Sequence, residues 1–172
     1  MANERYTRTN QKIFYAGLSL ESWRKAQEEQ ALNAQALIQA EREAALFHLY
    51  GAVLGLCHEV AGYYRLAQSD VPRVELLLNE AVLEASPSPE LAELVELAQQ
   101  RETWLAQLLA AYAELFQPPR AEKKAKLDPV APLIQAVSLD QEEPPLALET
   151  LEAWRQELTR LTRRFRETLS EW

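Results

Sequence analysis

The sequence predicts an all-α protein, folded as an antiparallel bundle of four long helices plus one short helix. Three observations lead there. Ala, Leu, Glu and Gln dominate the composition, and these residues favour helices. Only 4 glycines occur in 172 residues. Apolar residues recur at intervals of three and four, and no β-branched run alternates with period two. The 48% hydrophobic and 26% charged content is that of a globular domain.

The first two helices are expected at residues 7–30 and 33–67. In the first, Ile13, Ala16, Leu20 and Trp23 share one face. No Gly or Pro separates the two helices, so they could form a hairpin or one kinked helix. A continuous helix of about sixty residues would be far longer than usual, which favours the hairpin.

Three further helices are expected beyond the break at residues 69–72. A short helix near residues 72–85 would be capped by Asp70. A long helix should begin with Ser88 as its cap and Pro89 at its first position, and continue to residue 116. The last helix is expected at residues 146–169. Its apolar residues follow a seven-residue repeat: Leu151, Trp154, Leu158, Leu161, Phe165 and Trp172.

This pattern divides the chain into three parts. Residues 1–116 would form the core of the bundle. Residues 117–145 contain 6 of the 9 prolines and are expected to be a Pro-rich linker. Residues 146–172 would be a C-terminal helix that packs on the bundle.

Charge and cysteine content limit the partners and the compartment. Residues 41–114 carry 12 acidic and 4 basic side chains, which equals the whole net charge of −8. Such an acidic body repels phosphate backbones, so no nucleic-acid partner is expected. The single cysteine, Cys57, is compatible with a reducing compartment, and the first residues lack the apolar core of a secretory signal. These features indicate a cytoplasmic protein.

The stretch EAALFHLYGAVLGLCHEVAGYYRL, residues 43–66, is apolar on most helical faces. One narrow stripe differs. Along it lie Gly51, Gly55, Gly62, His48, His58 and Glu59. The glycines predict close packing against a neighbouring helix. The stretch is long enough to span a membrane, but ionisable groups within it are costly there, so the sequence favours a central core helix over a membrane span.

The sequence contains few candidate residues for metal binding or catalysis. About 15 Å of helix separates His48 from His58, so they cannot share a metal ion, and no metal or cofactor is expected. Arg42 and His48 have the Arg-x5-His spacing of HEPN ribonucleases, which would act on RNA. Arg101 lies on the predicted apolar seam, where it could pair with Glu59 or extend its head group to solvent. No strong catalytic motif is present.

The segments RTNQKIFYAGLSL, EAALFHLYGAVLGLCHEVAGYYRL and SPEL resemble a small all-helical family of unknown function from pseudomonads and related bacteria. The resemblance covers much of residues 5–115. It implies a bacterial, cytoplasmic helical protein and brings no functional residues.

The leading hypothesis is a non-enzymatic bundle that acts through protein–protein contacts, as an adaptor or a regulator. The alternative is a bundle that binds a small ligand at the stripe, through His48, His58, Glu59 and Arg101. The two hypotheses differ in an observable feature. A ligand site predicts a cavity lined by the stripe, whereas an adaptor predicts a dry stripe and an exposed apolar patch elsewhere.

Overall fold

The computed structural model describes residues 2–118 and 145–170, so the expected linker lies almost wholly outside the described residues, as does Trp172 of the seven-residue repeat. Within the described ranges the chain forms helices and no strands, which confirms the all-α class. The helices are α1 (Ala2–Glu29), α2 (Ala34–Tyr63), α3 (Glu80–Ala85), α4 (Pro89–Gln99), α5 (Trp104–Glu114) and α6 (Leu148–Ser170), with a 3-10 turn at Val74–Leu76.

Helices α1 and α2 form the expected hairpin. Helix α1 ends where Gln30 adopts a left-handed backbone with φ of 47°. The two helices run antiparallel, because Thr9 near the start of α1 bonds Glu59 near the end of α2, and Ser22 bonds Glu41. A turn without Gly or Pro therefore reverses the chain.

The expected long helix at residues 89–116 is wrong, because the structure divides it into α4 and α5. Gln100 leaves the helical conformation, with ψ of 111°. The Thr103 hydroxyl donates to the carbonyls of Leu97 and Gln100, and accepts from the Ala106 N–H at 3.2 Å. A short polar side chain thus takes over the backbone bonds at the break and caps α5.

The sequence predicted capping residues at the starts of two helices, and the structure confirms one of them. Ser88 accepts a hydrogen bond from the Leu91 N–H and Pro89 is the first helical residue, as expected. Asp70 does not cap a helix. Asn79, further along the chain, does so instead, and its side chain accepts from the Val82 N–H at 3.0 Å. The residues between them form the 3-10 turn.

Helix α2 lies at the centre of the core and contacts α1, α4, α5 and α6. Helix α6 runs antiparallel to α1, since Arg166 bonds Asn10 while Arg155 lies against Gly17. It also runs antiparallel to α4, since Arg164 bonds Glu93 at 2.9 Å while Thr168 bonds Glu90 at 3.0 Å. The broken α4–α5 unit therefore occupies the position that the sequence assigned to one long helix.

In the described part of the chain, α2 is the one helix long and apolar enough to cross a membrane by length and composition. The structure buries 67% of its most apolar window against the other helices. Central burial accounts for its composition, because a helix that is apolar on most faces needs partners on most faces.

Candidate functional site: the open end and the middle of the α1–α2 hairpin

Glu59 is the centre of a buried polar network that joins three helices. Its side chain is 1% exposed. Arg166 of α6 donates from Nε to Oε2 at 2.9 Å and from Nη2 to Oε1 at 2.8 Å. The Thr9 hydroxyl of α1 donates to Oε1 at 2.5 Å. The carboxylate is therefore held by a bidentate pair and a third hydrogen bond, the arrangement that a buried charge requires.

The guanidinium of Arg166 is itself fully engaged. Nη1 donates to Asn10 Oδ1 at 2.9 Å, and Nη2 also donates to the Tyr6 carbonyl at 3.3 Å. The group lies 4.5 Å from the centre of the Tyr6 ring. Both charges of the pair are thus used to connect α1, α2 and α6.

The predicted pair of Glu59 with Arg101 is wrong. Arg101 is exposed and lies in the break between α4 and α5. The sequence placed Arg101 on an apolar seam only because it treated that region as one continuous helix. Its true partner, Arg166, directly follows Phe165 of the apolar repeat, and that position beside the seam was the available signal.

The glycine stripe of α2 faces α1. A Cβ atom built on Gly55 would lie 3.2 Å from Thr9 Cα and 2.6 Å from Thr9 Oγ1. At Gly51 it would meet the Lys12 side chain at 3.1 Å, and at Gly62 it would overlap the guanidinium of Arg5. Only at Gly55 is the backbone of α1 among the nearest atoms.

The two histidines lie in separate environments. His58 Nε2 bonds the Val71 carbonyl at 2.8 Å. His48 lies edge-on to Tyr15 and Phe47, with 5.4 Å between the ring centroids in each case. Its Nδ1 is buried and has no hydrogen-bond partner among the described residues. Burial, and then the nearby Lys12 charge, lowers the pKa of His48.

Other reactive groups are also occupied. The Nε of Arg42 donates to the Leu146 carbonyl at 3.1 Å, and its guanidinium lies over the Trp23 ring, so Arg42 and His48 contact different groups. Burial raises the pKa of the Cys57 thiol to about 12. Within the described ranges, no three His, Cys, Asp or Glu side chains come together as a metal site.

Exposed apolar side chains cluster about midway along the hairpin. They are Phe14, Tyr15, Leu18 and Phe47, which are 62%, 38%, 52% and 51% exposed; together we call them the aromatic patch. The rings of Phe14 and Tyr15 are 6.3 Å apart, and His48 connects Tyr15 to Phe47. Lys12 covers part of the Phe47 ring, with its Nζ 4.8 Å from the ring centre.

Sequence reasoning missed this patch, although a signal existed. Phe14 and Leu18 are one turn apart on α1, so they share a face. That face points away from the one formed by Ala16, Leu20 and Trp23, all of which are buried. Two large apolar residues on the polar side of an amphipathic helix indicate an exposed patch.

A family model described as a family of unknown function, DUF6586, matches residues 1–172. Comparisons with curated proteins and with solved structures found no match.

Proposed function

We propose that this chain, which belongs to the DUF6586 family of unknown function, is a non-enzymatic helical-bundle protein that acts through protein–protein contacts. The observation that carries the proposal is the aromatic patch. Scattered exposed apolar residues are ordinary, whereas a contiguous group that includes three aromatic rings is typical of an interaction surface. Aromatic side chains also dominate binding energy in protein interfaces.

The charges beside the patch indicate what kind of partner it fits. Residues 8–20 of α1 contain two basic side chains, Arg8 and Lys12, and no acidic one, in a protein whose net charge is −8. Arg8 is exposed, and Lys12 lies against Phe47. A partner surface with an apolar centre and acidic side chains at its rim would complement both features.

The stripe of α2 offers less support for a ligand. Its glycines lie against Lys12, Thr9 and Arg5 of α1, and Glu59 is bound by Arg166 and Thr9. Neither of the two surface grooves beside α6 is lined by His48, His58 or Glu59. A stripe filled by a neighbouring helix and a patch elsewhere are the combination expected of an adaptor.

The proposal includes a bacterial, cytoplasmic protein without a membrane span. Its support is the burial of most of the apolar window of α2 inside the bundle. Purification without detergent from the soluble fraction tests this part. Recovery only from membranes would contradict it.

The experiment for the patch compares three forms of the full chain in an affinity purification from its native cells. These are the wild type, the double variant Phe14→Ser/Leu18→Ser, and the control Phe116→Ser. Phe116 is 72% exposed and lies at the end of α5, outside the patch. We expect a protein that is retained by the wild type and the control and lost from the double variant, because removing central apolar anchors typically costs about 1 kcal/mol or more each.

Two outcomes would contradict the proposal. One is the same set of retained proteins in all three forms. The other is an unfolded double variant, judged by circular dichroism, since exposed side chains should not be needed for folding. The partner could also be a second copy of the chain. Light scattering after size-exclusion chromatography tests this, because the molar mass of the double variant would then be lower than that of the wild type.

A further inference from the structure

We propose that the groove between α1 and α6 binds a small amphipathic molecule that carries a carboxylate. The groove has a volume of about 440 Å³. That volume is within the range of small-molecule sites. The site lies near the N-terminal end of α1, apart from the aromatic patch. This ligand site is separate from the proposed protein contacts, and either proposal can fail without the other.

The wall of the groove combines apolar and polar groups. Tyr6 and Ile13 of α1 supply an aromatic and an aliphatic surface. Thr162, Arg163 and Glu167 of α6 supply a hydroxyl and two opposite charges. A few polar groups beside an apolar wall are the usual composition of a ligand site, because the wall holds the body of the ligand and the polar groups orient it.

Thr162 is the observation that points to a ligand. Its side chain lines the groove, the residue is 3% exposed, and its hydroxyl has no hydrogen-bond partner among the described residues. A buried hydroxyl without a partner is costly, and native proteins rarely keep one. The hydroxyl oxygen itself has almost no accessible surface, so a ligand oxygen would accept this hydrogen bond only after the side chains that line the groove move aside.

The charges identify the head group. Arg166 also lines the groove, but its guanidinium is committed to Glu59, Asn10 and Tyr6. Arg163 is different, because it makes no hydrogen bond or ion pair with another described residue. An uncommitted guanidinium next to a buried hydroxyl donor suits a carboxylate, which accepts from both. The committed Arg166 adds a fixed wall, because its charge is already balanced by Glu59.

Octanoate and phenylacetate are the probes, with octan-1-ol and 2-phenylethanol as uncharged counterparts. Isothermal titration calorimetry on the full chain should give saturable binding of one acid per chain. Each alcohol should bind at least tenfold more weakly, because it lacks the charge that Arg163 pairs with. Equal binding of acid and alcohol would overturn the carboxylate, and no saturable binding of either acid would overturn the site.

Charge variants with opposite expected effects separate this site from general hydrophobic adsorption. Arg163→Gln should weaken binding about tenfold. Glu167→Gln should strengthen it, because Glu167 places a like charge beside the bound carboxylate. The matched control is Arg160→Gln, on the same helix, whose partner is Glu157 and which does not line the groove. Unchanged affinity in the first two variants, or an equal loss in the control, would contradict the proposal.

Thr162→Val gives a second readout that a purely structural threonine would not produce. The substitution keeps the shape and removes the unpaired hydroxyl. We expect a higher denaturant midpoint without ligand, together with an affinity reduced several-fold. A lower midpoint would mean that the hydroxyl has a structural partner, and unchanged affinity would remove Thr162 from the site.

Discussion

Two regions of the α1–α2 hairpin differ in how their polar groups are satisfied. At the open end, where α1 begins and α2 ends, Glu59, Thr9 and Arg166 form a closed network. Between the middle of the hairpin and its loop, Trp23 Nε1 and His48 Nδ1 are buried without partners among the described residues. The rings of Phe14 and Phe47, near the middle, are also exposed.

This difference separates the part that holds the fold from the part that is free to act. A buried network that joins three helices fixes their positions, and changing it should disturb stability first. Exposed aromatic side chains contribute little to folding, so a bundle has no structural need for them. The comparison therefore assigns stability to the Glu59 network and protein binding to the aromatic patch, and each of the following experiments can break that assignment.

The largest effect is expected from Arg166→Met. It leaves the Glu59 carboxylate buried with only Thr9 as a partner, and breaking a buried pair in this way costs about 3–5 kcal/mol. Urea denaturation measures the loss. Arg101→Met is the matched control, because Arg101 is exposed. Exposed substitutions of this kind usually change the unfolding free energy by less than about 0.5 kcal/mol.

The double variant Glu59→Gln/Arg166→Met measures the coupling directly. Removing both charges avoids the uncompensated carboxylate, so the double variant should be more stable than the sum of the single losses indicates. Additive losses would mean that the two side chains act independently and that the network does not hold the open end together.

The sequence could identify this network only in part. Glu59 was recognisable as a buried carboxylate because it is the one acidic residue between Ala44 and Leu66, in a long apolar stretch. Its partner was not, because the choice between Arg101 and Arg166 depends on how three helices are rotated against each other. The break at residues 100–103 added to the error, since Thr103 ends one helix and starts the next without any Gly or Pro.

Features that depend on residues close together in the sequence were easier to predict. The helical class and the start of α4 follow from composition, a Ser cap and a Pro, all of which act within a few residues. Predicting the aromatic patch would have required a comparison of the outer face of α1 with its buried face. Which apolar residues remain uncovered is a property of the assembled bundle, so periodicity alone could only suggest it.

A smaller effect is expected from Gly55→Leu. The Thr9 backbone lies next to Gly55, so a large side chain must push α1 away from α2 and disturb the Thr9–Glu59 bond. Overpacking typically costs about 1–3 kcal/mol. The protein should stay soluble, with a lowered urea midpoint. An unchanged or raised midpoint would show that the two helices can separate there without loss.

Alanine substitutions at two of the glycines test the same helix contact with a smaller side chain. Gly55→Ala should be destabilising, since even a Cβ atom meets the Thr9 backbone. Gly51→Ala is the matched control, because its Cβ atom meets only the flexible Lys12 side chain. Alanine favours the helix by roughly 0.5–1 kcal/mol, so the midpoint of this control should be unchanged or higher. The reverse order would place the close contact nearer to the loop end.

The smallest effect concerns pH and His48, which lies near the middle of the hairpin. Burial and the Lys12 charge lower the pKa of His48 in the folded protein, and the smaller effect of the Glu41 charge partly opposes this. The unfolded chain therefore takes up a proton first as the pH falls below about 6.5, and protonation favours unfolding. The contribution of His48 should be absent above pH 7.5 and should destabilise progressively as the pH falls through 6.5.

Urea midpoints of the wild type and of His48→Gln at pH 7.5 and pH 6.0 measure this contribution. The change in midpoint between the two pH values is compared in the two proteins. The wild type should lose more stability over this range than the variant, because glutamine does not titrate. The loss should be smaller than that from either change at the open end, since the His48 ring is only partly buried. An equal loss in both proteins would mean that the ring accepts its proton as readily folded as unfolded, and that Nδ1 is not cut off from solvent. The contrast between the satisfied Glu59 network and the unsatisfied Nδ1 of His48 would then fail.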